Sequence, residues 1–208
     1  MHSAKLVWIS PDAEQLIAKI ARVSNPKNED NPDYEKLIRY LIKHKHWSPF
    51  EMCSATLEVE TTRDIARQFL RHRSFSFQEF SQRYADIRSF DDSFVIREAR
   101  LQDEKNRQNS VQTNDEKLQR MWEQQQRRVI EASKQAYNWA IENGIAKEQA
   151  RSVLPEGNTV SRLYVNGTIR SWIHYIELRS ANGTQLEHME LAKEIGRIIS
   201  KIFPYFEK

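Results

Sequence analysis

Arg71, His72 and Arg73 stand together, and Ser74, Ser76, Glu79, Ser81 and Arg83 follow within a dozen residues. Just upstream, Arg67 and Gln68 share a helical turn with Arg71, and Arg67 with Arg71 is a like-charge pair that an isolated helix disfavours. Forked guanidinium groups and serine hydroxyls match phosphate oxygens in geometry and charge. Only Asp64 and Glu79 lie nearby to neutralise the cluster, so the segment reads as an anion pocket rather than a solvated basic face. Phe75, Phe77 and Phe80 interleave with it and leave a second reading open. That reading is a non-catalytic nucleic-acid-binding protein that stacks bases on these rings.

Other reactive residues are sparse. Cys53 is the single cysteine and sits on the apolar side of the alternating stretch MCSATLEVE (52–60), with no flanking cation to activate it. It reads as core. His44, His46 and Glu51 lack a third ligand at sensible spacing, so no metal site is expected. His2 and His188 receive no role. Five glycines, none at dinucleotide-loop spacing around Gly167, argue against a Rossmann or P-loop site. A nucleotide would have to be held mainly by side chains.

The elements that position these residues follow from periodicity. Residues 5–10 predict a strand, and Pro11 opens a helix carrying Leu16, Ile17, Ile20 and Ala21 on one face. A second helix spans 34–44. Residues 46–50 (HWSPF) read as a loop because Pro49 disfavours helix at Ser48. Residues 52–60 alternate as a half-buried strand, a short helix follows from about Thr61, and 94–99 read as another strand. Residues 101–117 are almost free of apolar side chains and read as a polar surface excursion. A long helix then carries Leu118, Met121, Trp122, Val129 and Trp139, and a short one covers 146–154. Asn166-Gly167 reads as a turn, with Thr168 capping a helix whose apolar face is Ile169, Trp172, Ile173 and Ile176. Trp122, Trp139 and Trp172 are expected in the core. A last helix covers about 185–202. No repeat or linker interrupts the chain, so one α+β domain over residues 1–208 is expected.

Composition narrows the class. Lys and Arg total 32 against 29 Asp and Glu, a net charge of +3, and no basic tail appears. No stretch approaches the roughly 20 apolar residues of a membrane span, and the start lacks a signal-peptide run. A soluble protein of a reducing compartment, cytoplasmic, is expected.

Four ordered blocks together resemble the flavin-dependent thymidylate synthases, the ThyX family. They are HWSPFE (46–51), the Arg71-His72-Arg73 run with Ser81 and Arg83 behind it, ARSVLP (150–155), and IRSWIHYIELR (169–179) followed by Gln185-Leu186-Glu187. Thr184 departs from the family's usual alanine, and VNGTIRS is about two residues longer than its usual segment. The resemblance implies an α+β fold with a mainly antiparallel sheet flanked by helices. It implies conversion of dUMP to dTMP, with carbon from 5,10-methylenetetrahydrofolate, hydride from reduced FAD, and NADPH to recharge it. Gln68, Arg71, Glu79, Ser81, Arg83, Arg151 and Arg179 would bind dUMP. Ser48, Arg71, His72, Arg73, Ser74, Glu79, Thr168, Ile169, Arg170 and His174 would hold FAD, and His46 and Tyr84 would lie beside the folate. Arg179, Ser81 and His46 would be catalytic, Arg179 by favouring ionisation of uracil N3. A homotetramer with shared sites is implied, with neither nucleic acid nor membrane as partner. The chemistry is coherent, because without a cysteine nucleophile the pyrimidine must be polarised directly.

Overall fold

The computed structural model describes residues 2–90 and 93–204. Its centre is a four-stranded antiparallel sheet in the order β1 (Ser3–Ile9), β2 (Ser54–Thr62), β6 (Val160–Thr168), β3 (Phe75–Glu79). The sheet is one-sided. Ala55, Leu57 and Val59 of β2 and Leu163 and Val165 of β6 are fully buried on one face. On the other, polar cross-strand pairs meet water: Arg162 with Glu60, Tyr164 Oη donating to Glu58 at 2.7 Å, and Asn166 donating to Thr56 Oγ1 at 2.8 Å. Alternation of apolar and polar residues along β2 produces this asymmetry, because side chains point to opposite faces with period two.

Helices cover the apolar face. These are α1 (Ala13–Ala21), α2 (Glu35–Lys43), α3 (Arg63–Phe69), α6 (Ile169–Arg179) and α7 (Leu186–Ser200). Thr168 caps α6 as its residue type predicts, accepting the Ser171 amide proton on Oγ1 at 3.1 Å. The helix buries Ile169, Trp172, Ile173 and Tyr175, while Ile176 is half-buried. α7 contributes the stripe His188, Leu191, Ala192, Ile195 and Ile199. A long helix, α4 (Glu116–Glu142), is followed by the short α5 (Lys147–Ala150) and a 3-10 turn over Arg151–Val153.

Several expectations are corrected. Asn166-Gly167 is no turn but the interior of β6, where Gly167 pairs with Ala55 on one side and Phe75 on the other. A Cβ at Gly167 would lie 2.2 and 2.4 Å from two carbons on one edge of the Phe75 ring, so glycine is required by close approach. Ser48–Glu51 is a 3-10 turn rather than a loop, with Pro49 in the first turn, where a missing N–H is harmless. Residues 94–99 make one isolated bridge, Phe94 with Thr159, and are otherwise paired by side chains. Gln126 and Gln119 of α4 each exchange two bonds with this backbone, at Arg97 (2.9 and 2.7 Å) and Ala99 (2.7 and 2.9 Å). Carboxamides thus take the place of a neighbouring strand. The 101–117 excursion contains a ribbon of β4 (Arg100–Gln102) and β5 (Ser110–Gln112). Trp172 is core, but Trp122 and Trp139 are 44% and 60% exposed.

The Gly167–Phe75 contact is directly testable. Gly167→Ala should lose about 1–3 kcal/mol of unfolding free energy through overpacking. Combining it with Phe75→Leu should lose less than the sum of the two single changes, since the smaller side chain removes the clash. Additive losses in urea denaturation would contradict the packing described.

Candidate active site

Three groups of the expected residues form on this frame. The first gathers where α3 hands over to β3. Phe69 stacks on Tyr175 with ring centroids 4.5 Å apart and planes 13° off parallel. That stack sets the last turn of α3 against α6 and brings His72 to Arg179, one turn beyond Tyr175. Arg179 Nε donates to His72 Nε2 at 2.9 Å. An accepting Nε2 leaves the imidazole proton on Nδ1. Burial first, and then the Arg179 charge, pushes the His72 pKa down to about 4, so the ring is neutral beside the guanidinium. Gln68 Nε2 donates to Gln185 Oε1 at 2.7 Å, and Gln68 Oε1 lies 3.2 Å from His188 Nδ1. His188 is fully buried, its Nε2 is 3.1 Å from Tyr175 Oη, and burial followed by the Arg179 charge lowers its pKa to about 3. Burial also raises the Tyr175 phenol, against the opposing Arg179 charge.

The second group surrounds the first turn of α6. Ser171 Oγ bonds the Ser74 carbonyl at 3.3 Å, tying the 71–74 turn to the helix start. Arg170 pairs with Glu51, and His174 meets Trp47 edge-on at 5.2 Å, which joins the Ser48–Glu51 turn to the same end. Arg73, Ser74 and Ser48 are exposed here. Hydroxyls, guanidinium groups and the positive end of a helix dipole suit a diphosphate. Ile169 is placed differently from its neighbours: its side chain is buried and its amide donates to Cys53 O at 2.9 Å. It therefore anchors the helix start and has no free donor. His46 lies beside this region in an exposed ring cluster with Tyr40 and His44.

The third group lies on the segment after β3. Ser81, Arg83 and Tyr84 line a shallow recess with Ala146, Lys147 and Glu148. Arg83 pairs with Glu148 at 3.6 Å, and Lys147 donates to the Tyr84 carbonyl at 3.1 Å. α5 leads directly into the turn bearing Arg151. Glu79 is oriented from behind by Ser161 Oγ at 2.8 Å and by Arg63 at 3.3 Å. The bonds of Gln68, His72 and Arg179 run to one another and to α6 and α7, whereas those of Arg83 and Tyr84 run to α5.

Charge pairing divides the arginines, those of the site included. Most arginines lie within 4.0 Å of a carboxylate, yet Arg71, Arg73, Arg151 and Arg179 have no such partner among the described residues. Arg22, Arg107 and Arg128, on other elements, share that state. The phenylalanines of the segment turn inward: Phe75 packs on Trp172, Phe77 on Phe69 and Phe80 on Phe90. Of the three, Phe75 is buried, while Phe77 and Phe80 are partly exposed. Cys53 is fully buried, with its thiol pKa raised by desolvation, as expected of a core residue. Sequence reasoning missed His188. The available signal was a histidine in register with Leu191, Ala192, Ile195 and Ile199 on an otherwise apolar stripe.

Comparison with known proteins shows the family and the fold. Residues 5–205 match the family model described as thymidylate synthase complementing protein. The chain is 50% identical, over 99% of its length and 97% of the other, to a probable flavin-dependent thymidylate synthase of Paramecium bursaria Chlorella virus 1. It is 52% identical to a flavin-dependent thymidylate synthase of Synechocystis, covering 92% of this chain and 86% of that one. Its fold superposes, with a TM-score of 0.84 and 28% identity, on the UMP/dUMP methylase PolB of Streptomyces cacaoi bound with 5-Br dUMP, covering 99% and 93% of the two chains.

The buried histidines make stability depend on pH. In the unfolded chain their pKa returns to about 6.5, while the folded values are about 4 and 3. Below pH 6.5 the unfolded state therefore binds protons that the folded state refuses, and stability falls as pH falls. From pH 7 to 5 the unfolding free energy should decline, His188 alone contributing a slope approaching about 1.4 kcal/mol per pH unit. Urea titrations giving the same free energy at both pH values would show that these rings protonate freely in the fold.

Proposed function

The chain belongs to the family of thymidylate synthase complementing proteins, and from that membership we propose that it is a flavin-dependent thymidylate synthase, methylating dUMP to dTMP. The observation that carries this reading is half identity along nearly the whole chain to proteins so named. Anaerobic turnover tests it: the purified protein, charged with FAD, NADPH and 5,10-methylenetetrahydrofolate, converts dUMP to dTMP. These folate and pyridine nucleotide co-substrates are part of the proposal. When bound, the flavin supplies the hydride that completes the methyl group.

The protein's own residues have distinct tasks. Arg179 spends its Nε on His72, which leaves the terminal nitrogens of the fork for the pyrimidine edge. Because His72 is neutral, the guanidinium keeps its full charge for the negative charge that develops at uracil N3 and its flanking carbonyls. C5 then becomes nucleophilic without a cysteine, consistent with Cys53 being buried. Ser81, Arg83 and Arg151 take the nucleotide phosphate side, with Gln68, Arg71 and Glu79 orienting base and sugar. Arg73, Ser74, Ser48, Arg170, His174 and the capped start of α6, with Thr168 and Ile169 fixing that start, hold FAD through its diphosphate and ring, joined by Arg71, His72 and Glu79. His46 and Tyr84 flank the folate.

We take the chain to be one domain that acts as a cytoplasmic homotetramer with shared sites and without nucleic acid. Two features support the assembly. The side-chain bonds of the phosphate-side group run to α5 and those of the Arg179 group to α6 and α7, an arrangement that a shared site accommodates. Trp122, Val129 and Trp139 leave an exposed apolar stripe on α4 that a second copy can cover. No described helix is long and apolar enough to cross a membrane.

Two substitutions separate binding from chemistry. Arg179→Lys keeps the charge but loses the planar fork. It should stay folded and yellow, with flavin still reduced by NADPH, while dTMP formation falls about 10²–10³-fold, as for loss of one transition-state donor. Turnover at the parent rate would make Arg179 structural. Arg83→Ala removes only an exposed ion pair, so stability should change by less than about 0.5 kcal/mol. Its dUMP affinity should drop at least about tenfold, the effect of losing a charge-assisted hydrogen bond, with FAD content unchanged. Equal losses of both ligands in calorimetry would refute the phosphate assignment.

A further inference from the structure

His188 has no part in the chemistry above, yet it sits inside the site in a chain of hydrogen bonds whose direction is fixed from one end. That end is Glu187, nearly buried and ion-paired with Arg100 of β4. An ion-paired carboxylate offers only lone pairs, so Gln185 Nε2 must donate to Glu187 Oε2, at 3.0 Å. Gln185 therefore turns Oε1 towards Gln68, which must donate through Nε2 at 2.7 Å. Gln68 Oε1 is then the acceptor facing His188, and His188 must carry its proton on Nδ1, 3.2 Å away. The bare Nε2 accepts from the Tyr175 hydroxyl at 3.1 Å. All four bonds point the same way, from Tyr175 to Glu187.

We propose that His188 is a positioning residue for the nucleotide: its Nδ1–H fixes the plane and polarity of the Gln68 carboxamide, so that the amide meets dUMP with one N–H and one lone pair already oriented. The inference rests on Gln68 as a dUMP contact, as read above. Three features set His188 apart from a histidine that merely fills the core. Its two ring nitrogens have different partners on two helices, α3 and α6. Its tautomer is dictated by a carboxylate three bonds away. Burial keeps the ring neutral, and a protonated ring would reverse the Tyr175 bond, with Nε2–H donating to the hydroxyl oxygen, and so break the single direction of the chain. An amide held at both ends loses less rotamer freedom on binding, which is the physical gain.

Isosteric substitutions test it. In His188→Asn the side-chain amide nitrogen can occupy the place of Nδ1 and still donate to Gln68, but the Tyr175 bond is lost. In His188→Gln the longer side chain reaches the place of Nε2 and meets Tyr175, but nothing donates to Gln68. Calorimetry of dUMP binding to the flavin-loaded protein should show His188→Asn within about threefold of the parent. His188→Gln should be weaker by about tenfold, the worth of one net hydrogen bond, with FAD affinity and melting temperature alike in the two variants. If both weaken equally, or neither does, His188 is only a core residue. Gln68→Ala serves as the reference. If it binds dUMP as the parent does, the reading of Gln68 fails and takes this inference with it. If it binds weakly while His188→Gln binds normally, only the inference fails. Should the variants not fold, the nitrogen-15 imidazole spectrum of the parent protein decides, with the Nδ1–H tautomer expected at His188 and an Nε2–H tautomer overturning the proposal.

Discussion

In the role proposed for it, the guanidinium of Arg179 has to stand close to its target without being neutralised by the protein that holds it, and the surrounding architecture meets that constraint. A carboxylate would have fixed Arg179 more tightly but would have consumed its charge. Here the anchor is a neutral imidazole, and it is neutral because burial and the guanidinium itself both disfavour its protonation. The Phe69–Tyr175 stack, the fully buried Trp172 and the capped start of α6 hold the two partners at hydrogen-bond distance. Arg179 is the last residue of α6, where the helix dipole favours a cation independently of any counter-ion.

The sheet supplies the rigidity that this pairing needs. β6 lies between β2 and β3 and runs directly into α6, so the site hangs from a strand paired on both edges. The close approach of Phe75 to Gly167 places that ring against Trp172 and beneath the turn bearing His72. One backbone contact thus links the strand register to the position of the imidazole. A register slip of one residue in β6 would exchange its buried and exposed faces and carry α6 with it.

The sequence made parts of this legible and hid others for identifiable reasons. Alternation at 53–59 and the helical stripes at 169–176 and 185–202 were plain because one face of each element is apolar. β6 was hidden because two of its core-facing positions are Ser161 and Gly167, and because Asn-Gly ordinarily marks a turn. Residues 94–99 have strand-like composition, but their partners are the side chains of Gln119 and Gln126, which no strand pattern reveals. Trp122 and Trp139 continue a helical apolar stripe, and periodicity cannot tell a face covered within the chain from one left for another chain. The residues of the expected anion pocket were readable as types and spacings, and family resemblance gave them expected roles. Their division into an α5-anchored group and an α6–α7-anchored group needed coordinates.

The modest net charge of +3 now has a structural reading. Many arginines are paired with a carboxylate that orients them, as Arg63 is with Glu79, Arg97 with Asp64 and Arg100 with Glu187. Such pairs cancel in the sum while fixing geometry, so the total says little about ligand charge. Four arginines of the proposed site, at 71, 73, 151 and 179, have no carboxylate partner among the described residues, and in the proposed function their charge meets phosphate or a developing pyrimidine anion. The paired arginines contribute direction instead. Through Arg100 and Glu187, one buried ion pair sets the polarity of the amide and imidazole chain that ends at Tyr175, a single turn before Arg179. Charge that is cancelled in one place thereby orients neutral groups in another, and the charge left uncancelled is available to the ligands.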